Sequence, residues 1–139
     1  MRHHRPRILQ AMETTTQRTK VFLAEDSPAI RLRLAAMLDE IPGVTIVGEA
    51  ETPAGAVAGI LRTRPDSVVL DVQLIGGSGI EVLRKVRPVE PDTVFIVLTN
   101  NPDALYRKLY LDAGANFFLD KTTEFEKAIG LVAGLGILH

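Results

Sequence analysis

Five short apolar runs, each broken by polar residues and followed by a helical stripe, constrain this chain more than any other feature. The runs are KVFLA (20–24), VTIVGEA (44–50), DSVVLD (66–71), TVFIVLT (93–99) and ANFFLD (115–120). Ser27–Pro28 and Thr52–Pro53 read as a helix cap followed by a first-turn proline. Ile30, Leu34, Met37, Leu38 and Ile41 then recur at helical spacing until IPG stops the helix, and Ala54, Val57, Ala58 and Leu61 form the next stripe. The loop IGGSG leads into a helix through IEVLRKV, and DALYRKLYLDAG reads as a helix closed by Gly114. Thr122 or Thr123 is expected to cap a last helix running toward Leu138. Such alternation predicts an α/β fold, a parallel sheet covered by helices on both faces. The unbroken run in DSVVLD predicts a strand buried on both sides.

With 139 residues the chain is long enough for one domain with a real core. Sixteen Lys and Arg against seventeen Asp and Glu give a net charge of −1, so no overall field favours nucleic acid or an anionic membrane. The absence of cysteine excludes disulfides and cysteine-based metal sites and, with no signal peptide in view, suits a cytoplasmic protein. Residues 1–18 carry Arg2, Arg5, Arg7 and Arg18 against Glu13 alone and read as a disordered basic tail. No apolar run is long enough for a membrane span.

In open parallel sheets ligands bind outside the carboxyl ends of the strands. Here the first strand ends at Glu25 and Asp26, the third at Asp71, the fourth at Thr99, and the fifth at Asp120 and Lys121. Three of these carboxylates, Glu25, Asp26 and Asp71, are therefore expected on one rim with the Thr99 hydroxyl and the Lys121 ammonium. Adjacent acids at the tip of a buried strand repel and are costly to bury, so a positive charge belongs beside them. Oxygen-only ligands suit a hard cation, Mg²⁺ before others. A carboxylate beside a metal and an anion clamp can accept a phosphoryl group, a transfer that relies on positioning and charge neutralisation.

The set AEDS, VVLDVQL, VLTN and FLDK, in that order and at strand ends, resembles the receiver domain of two-component response regulators. The resemblance covers residues 19–139. It implies a flavodoxin-like (βα)5 doubly wound fold with a five-stranded parallel sheet in strand order 2-1-3-4-5. It implies a phosphoprotein switch, not an enzyme acting on a separate substrate, that takes a phosphoryl group from a histidine kinase or phosphotransfer protein. Asp71 is implied as the phosphoacceptor. Asp26 is implied as a direct Mg²⁺ ligand, Glu25 as one acting through a bound water, and the Gln73 carbonyl as the last protein ligand. Thr99 and Lys121 would hold phosphoryl oxygens. Thr99 would then draw inward with Phe118, the switch aromatic, and reshape the face of the fourth helix, fifth strand and fifth helix, where an output target would dock.

The chain departs from the family's pattern at Ile75, where many members have proline, at Asn100, where a small residue is usual, and at Thr122, where proline often follows the lysine. A trans Lys121–Thr122 bond is expected, because a non-proline cis bond costs about 2.5–4 kcal/mol. Asn100 is expected to narrow access to the site or limit the inward rotamer of the aromatic. Gln73 and Asn101 should flank the phosphoryl position and affect its lifetime. Nothing follows the fifth helix, so a single-domain regulator is expected. Leu131, Leu135 and Leu138, with Tyr106 and Tyr110 on the fourth helix, suggest a homodimer or partner surface as the alternative to a deeper core. Two rival readings stand beside the receiver. A haloacid-dehalogenase-type phosphatase needs a second acid where Gln73 stands. A flavin or nucleotide binder would use IGGSG to cradle phosphate.

Overall fold

The computed structural model describes residues 18–138. Five strands, β1 (Thr19–Ala24), β2 (Val44–Ala50), β3 (Ser67–Asp71), β4 (Val94–Thr99) and β5 (Phe117–Asp120), form one sheet in the order β2-β1-β3-β4-β5, every pair parallel. Five helices alternate with them: α1 (Pro28–Asp39), α2 (Pro53–Thr63), α3 (Gly79–Val86), α4 (Ala104–Asp112) and α5 (Phe125–Leu138). This is the expected doubly wound architecture and strand order. The basic segment of residues 1–18 lies, apart from Arg18, outside the described residues.

The pleat of the sheet explains the two cores. On β1, Val21 and Leu23 face one side and join Leu34 and Leu38 of α1 with Phe125, Ala128, Ile129 and Val132 of α5. Phe22 and Ala24 face the other side and join Ala56 and Ile60 of α2, Val82, Leu83 and Val86 of α3, and Tyr110 of α4. All five residues of β3 are buried, as a central strand covered on both faces must be. The stripe expected on α1 is the one that packs, with Leu34 and Leu38 buried and Ile30, Met37 and Ile41 half-buried against the core.

Three local expectations are corrected. On α2 the buried residues are Ala56, Gly59 and Ile60, whereas Ala54, Ala58 and Leu61 are exposed and Val57 half-buried. The cause is Phe22. A Cβ at Gly59 would come within 2.6 Å of the Phe22 ring, so the smallest residue of the helix is the one the sheet requires. The cap of α5 is neither threonine. The helix starts at Phe125, the Glu124 carbonyl accepts from Lys127 and Ala128, and Asp120 Oδ1 instead binds the Thr122 amide and hydroxyl at 2.8 and 2.7 Å. Tyr110 is buried in the core, so of the two tyrosines only Tyr106 presents itself to solvent. Leu131 and Leu135 are half-buried, and the Leu138 side chain lies outside the described residues.

The expected caps of α1 and α2 are present, with Ser27 Oγ accepting from the Ile30 amide and Thr52 Oγ1 from the Gly55 amide. Among the described residues no peptide bond is cis, so Lys121–Thr122 is trans as expected.

Candidate functional site

The carboxyl ends of β1, β3, β4 and β5 bring the expected residues onto one rim. Lys121 leaves the end of β5 with its amide on the Thr99 carbonyl at 2.8 Å, and its side chain turns inward. Its ammonium lies 2.9 Å from Glu25 Oε1 and 3.0 Å from Asp71 Oδ2, and only 8% of the side chain is exposed. The remaining carboxylate oxygens of these two acids are held by backbone: Glu25 Oε2 accepts from the Ser27 amide at 3.0 Å, and Asp71 Oδ1 from the Gln73 amide at 3.2 Å. Glu25, Asp71 and Thr99 are all buried, while Asp26 is half-buried. Thr99 Oγ1 accepts from the Asn101 amide at 2.9 Å.

Glu25, Asp26 and Asp71 each offer an oxygen within 4.8 Å of the others. Two buried acids and a more open third, with oxygen donors alone, fit a hard divalent cation. Both oxygens of Glu25 are already engaged, which leaves Asp26 as the carboxylate best placed for direct ligation. Asp26, Asp71, Thr99 and Lys121 open into a cleft of about 730 Å³ lined also by Gln73, Asn100, Asn101, Tyr106, Thr122 and Arg33.

The charges are strongly coupled. Burial carries Glu25 up to about 7, against the pull of the Ser27 amide and Lys121. Burial also raises Asp71, with Glu25 and Lys121 opposing it. Burial pushes Asp26 upward too, but hydrogen bonding with Glu25 and Asp71 and the charge of Lys121 outweigh it, so Asp26 ends below its ordinary value. For Lys121 burial is outweighed by Glu25 and Asp71, and the ammonium is held above its ordinary value. Glu25 changes from 4.5 unfolded to about 7 folded, so its neutral form stabilises the fold below the unfolded value, and that contribution is lost as pH rises through 7. Asp71 acts in the same direction. In EDTA the protein is therefore expected to lose up to about 3 kcal/mol between about pH 5 and about pH 8. Urea unfolding at the two ends of that range checks this, and a protein more stable at the alkaline end would contradict it.

Two neighbours of the site could not be read from the motifs. Gly79 begins α3 against the Asp71 backbone, where a Cβ would lie 2.4 Å from the Asp71 carbonyl oxygen. Arg31, on α1, donates to the Glu25 carbonyl at 2.7 Å and pairs with Glu49 at 3.2 Å, bracing the acidic loop. IGGSG is more ordered than a bare loop. Gln73–Leu74 pairs with Gly77–Ser78, and a capping box joins Ser78 to Glu81. The Glu81 carboxylate thus stands at the α3 terminus where a nucleotide phosphate would have to sit, against the nucleotide-binder reading. Phe118 is buried and packs on Tyr110, with ring centroids 5.7 Å apart. Asn100 is exposed and lines the cleft.

Comparison with known proteins gives one family. The model of the response regulator receiver domain matches residues 21–133. The DNA-binding transcriptional activator DevR/DosR of Mycobacterium tuberculosis is 41% identical over 81 residues, 58% of this chain and 37% of that protein. A protein-glutamate methylesterase/protein-glutamine glutaminase of Alkalilimnicola ehrlichii is 31% identical over 105 residues, 75% of this chain and 27% of that one. The solved signal receiver domain of NarL from Mycobacterium tuberculosis superposes with a TM-score of 0.79 at 26% identity, covering 86% of this chain and 97% of that one. The chain thus spans well under half the length of these two curated relatives.

Proposed function

We propose, from the premise that this chain belongs to the response regulator receiver domain family, that Asp71 is its phosphoacceptor and that residues 19–139 work as a phosphorylation switch. The observation that carries this reading is the Lys121 ammonium between Asp71 and Glu25, with Asp26 open beside them at the mouth of a cleft. Asp26 and Asp71, with the Gln73 carbonyl, would hold Mg²⁺, and Glu25 would do so through water. The ion would neutralise charge on the transferring group. Asp71 would attack the donor phosphorus with one carboxylate oxygen as the donor's phosphorus–nitrogen bond breaks and its histidine imidazole leaves, and Lys121 and the Thr99 hydroxyl would meet the phosphoryl oxygens. A histidine kinase or phosphotransfer protein is the proposed donor, and the face of α4, β5 and α5 the proposed output surface. The relatives' names include a transcriptional activator and a methylesterase, so the output is not carried by the family alone. Among the described residues no helix is long and apolar enough to cross a membrane.

The test is intact mass after incubation with acetyl phosphate. Wild type should gain one phosphoryl adduct, only with Mg²⁺ present, and Asp71→Asn should gain none. An adduct on Asp71→Asn, or none on wild type under any divalent cation, would overturn the assignment.

A further inference from the structure

α4 rests on a narrow footing. Tyr110 is its one fully buried side chain, whereas Leu105 is 79% exposed and Tyr106 and Leu109 each 38%. The Tyr110 ring lies against Phe118, and its hydroxyl reaches the segment that follows Asp71. That oxygen accepts the Ile80 N–H at 3.0 Å and donates, at a long 3.5 Å, to the Val72 carbonyl. The two backbone groups belong to one unit. Val72 follows Asp71, and its carbonyl also accepts the Gly79 N–H at 2.9 Å. Ile80 is the second residue of α3, so its amide lacks a partner within the helix. A side chain from α4 thus caps α3 beside the acidic site. Burial holds the Tyr110 hydroxyl at about 12, so it keeps its proton in neutral solution.

We infer that Tyr110 is a tether that couples the state of Asp71 to the position of α4. The inference rests on the reading of Asp71 as the acceptor. A phosphoryl group on Asp71 and an ion on the Gln73 carbonyl add charge and pull to the segment that contains the Val72 carbonyl. The Tyr110 hydroxyl must follow that segment or release it. Either response moves α4, because the helix has no other fully buried anchor. Leu105, Tyr106 and Leu109 ride on the helix, so the change alters the strip that α4 presents to solvent. A second link, from Arg107 Nη1 to the Phe118 carbonyl at 3.1 Å, joins the same helix to β5. The tether therefore runs in parallel with any movement of Thr99 and Phe118, through α3 and not through β4.

The experiment compares amide hydrogen exchange with Mg²⁺ alone and with Mg²⁺ plus beryllofluoride, a tetrahedral mimic of a carboxylate-bound phosphoryl group. Wild-type α4 should change its exchange rate by about fivefold or more, a normal coupling between sites. In Tyr110→Phe, which keeps the ring and loses only the hydroxyl, the ratio should fall below about twofold. A purely structural role would speed exchange equally with and without beryllofluoride, and an unchanged ratio overturns the tether. Ile80→Pro removes the same bond from the donor side, at a first-turn position where proline is tolerated. Should neither variant fold, the wild-type Ile80 amide decides, because it must change along with α4. A constant Ile80 beside a changing α4 overturns the proposal. Beryllofluoride that binds without moving α4 overturns the tether alone, and beryllofluoride that fails to bind overturns the acceptor reading with it.

Discussion

Lys121→Met should destabilise the ion-free protein by about 3–5 kcal/mol at about pH 8, the usual consequence of removing one partner of a buried ion pair. The lysine is the only ammonium in contact with Glu25 and Asp71 among the described residues, and both acids are buried. Without it the fold must hold two carboxylates against each other or protonate them. Glu25 already sits at about 7 with the lysine present, and loss of the ammonium drives it and Asp71 further up. The penalty should therefore shrink as the pH falls toward about 5, where Glu25 is neutral, and shrink at any pH when Mg²⁺ supplies the missing charge. Urea unfolding of the two proteins, in EDTA and then in Mg²⁺, measures each part. A difference below about 1 kcal/mol in EDTA would mark Lys121 as an ordinary solvated lysine. The same variant should form the phosphoryl adduct more slowly, because the cation poised beside Asp71 is gone.

The site was legible because it depends on strand ends. Glu25, Asp26, Asp71, Thr99 and Lys121 come from four separate strands, yet each needs only the rule that parallel strands present their carboxyl ends together. The inner strands β1, β3 and β4 were legible because burial on both faces leaves nearly uninterrupted apolar runs. What escaped the sequence depends on contacts between distant segments. Hydropathy credits Leu61 and Val57 on α2 and gives nothing to Gly59, but Phe22 of β1 needs the room that only glycine leaves. Thr122 has the chemistry of a cap, but Asp120, two residues earlier, claims its amide and hydroxyl first. Tyr106 and Tyr110 read alike on a helix of mixed pattern, and the pocket between Phe118 and the start of α3 separates them. Arg87 is the extreme case. It reads as a surface charge at the end of α3, yet its guanidinium gathers the carbonyls of Gly114, Glu90, Pro91 and Thr93 and the Asn116 side chain. Those acceptors come from two loops that no local pattern links.

Gly79→Ala should destabilise the protein by about 1–3 kcal/mol and slow phosphorylation of Asp71 by about tenfold or more. One methyl group has this effect because of what it would touch. At Gly79 the added Cβ would meet the Asp71 carbonyl oxygen at 2.4 Å and Leu70 Cγ at 3.2 Å. The nearest obstacle is backbone and cannot rotate away, so α3 or the end of β3 has to move by several tenths of an ångström or more. Movement of α3 strains the Gly79 amide bond to Val72 and the Ile80 amide bond to Tyr110, while movement of β3 carries the acceptor carboxylate with it. Gly130→Ala is the matched control. Gly130 lies within α5 with nothing inside 4 Å of its Cβ position, so the same methyl relieves only the helix penalty of glycine and should stabilise by about 0.5–1 kcal/mol. Chemical denaturation of both variants, with adduct formation followed by intact mass, should give opposite signs for stability and a rate defect for Gly79→Ala alone. Equal behaviour of the two would mean that the start of α3 yields freely and that its contact with Asp71 does not hold the acceptor in place.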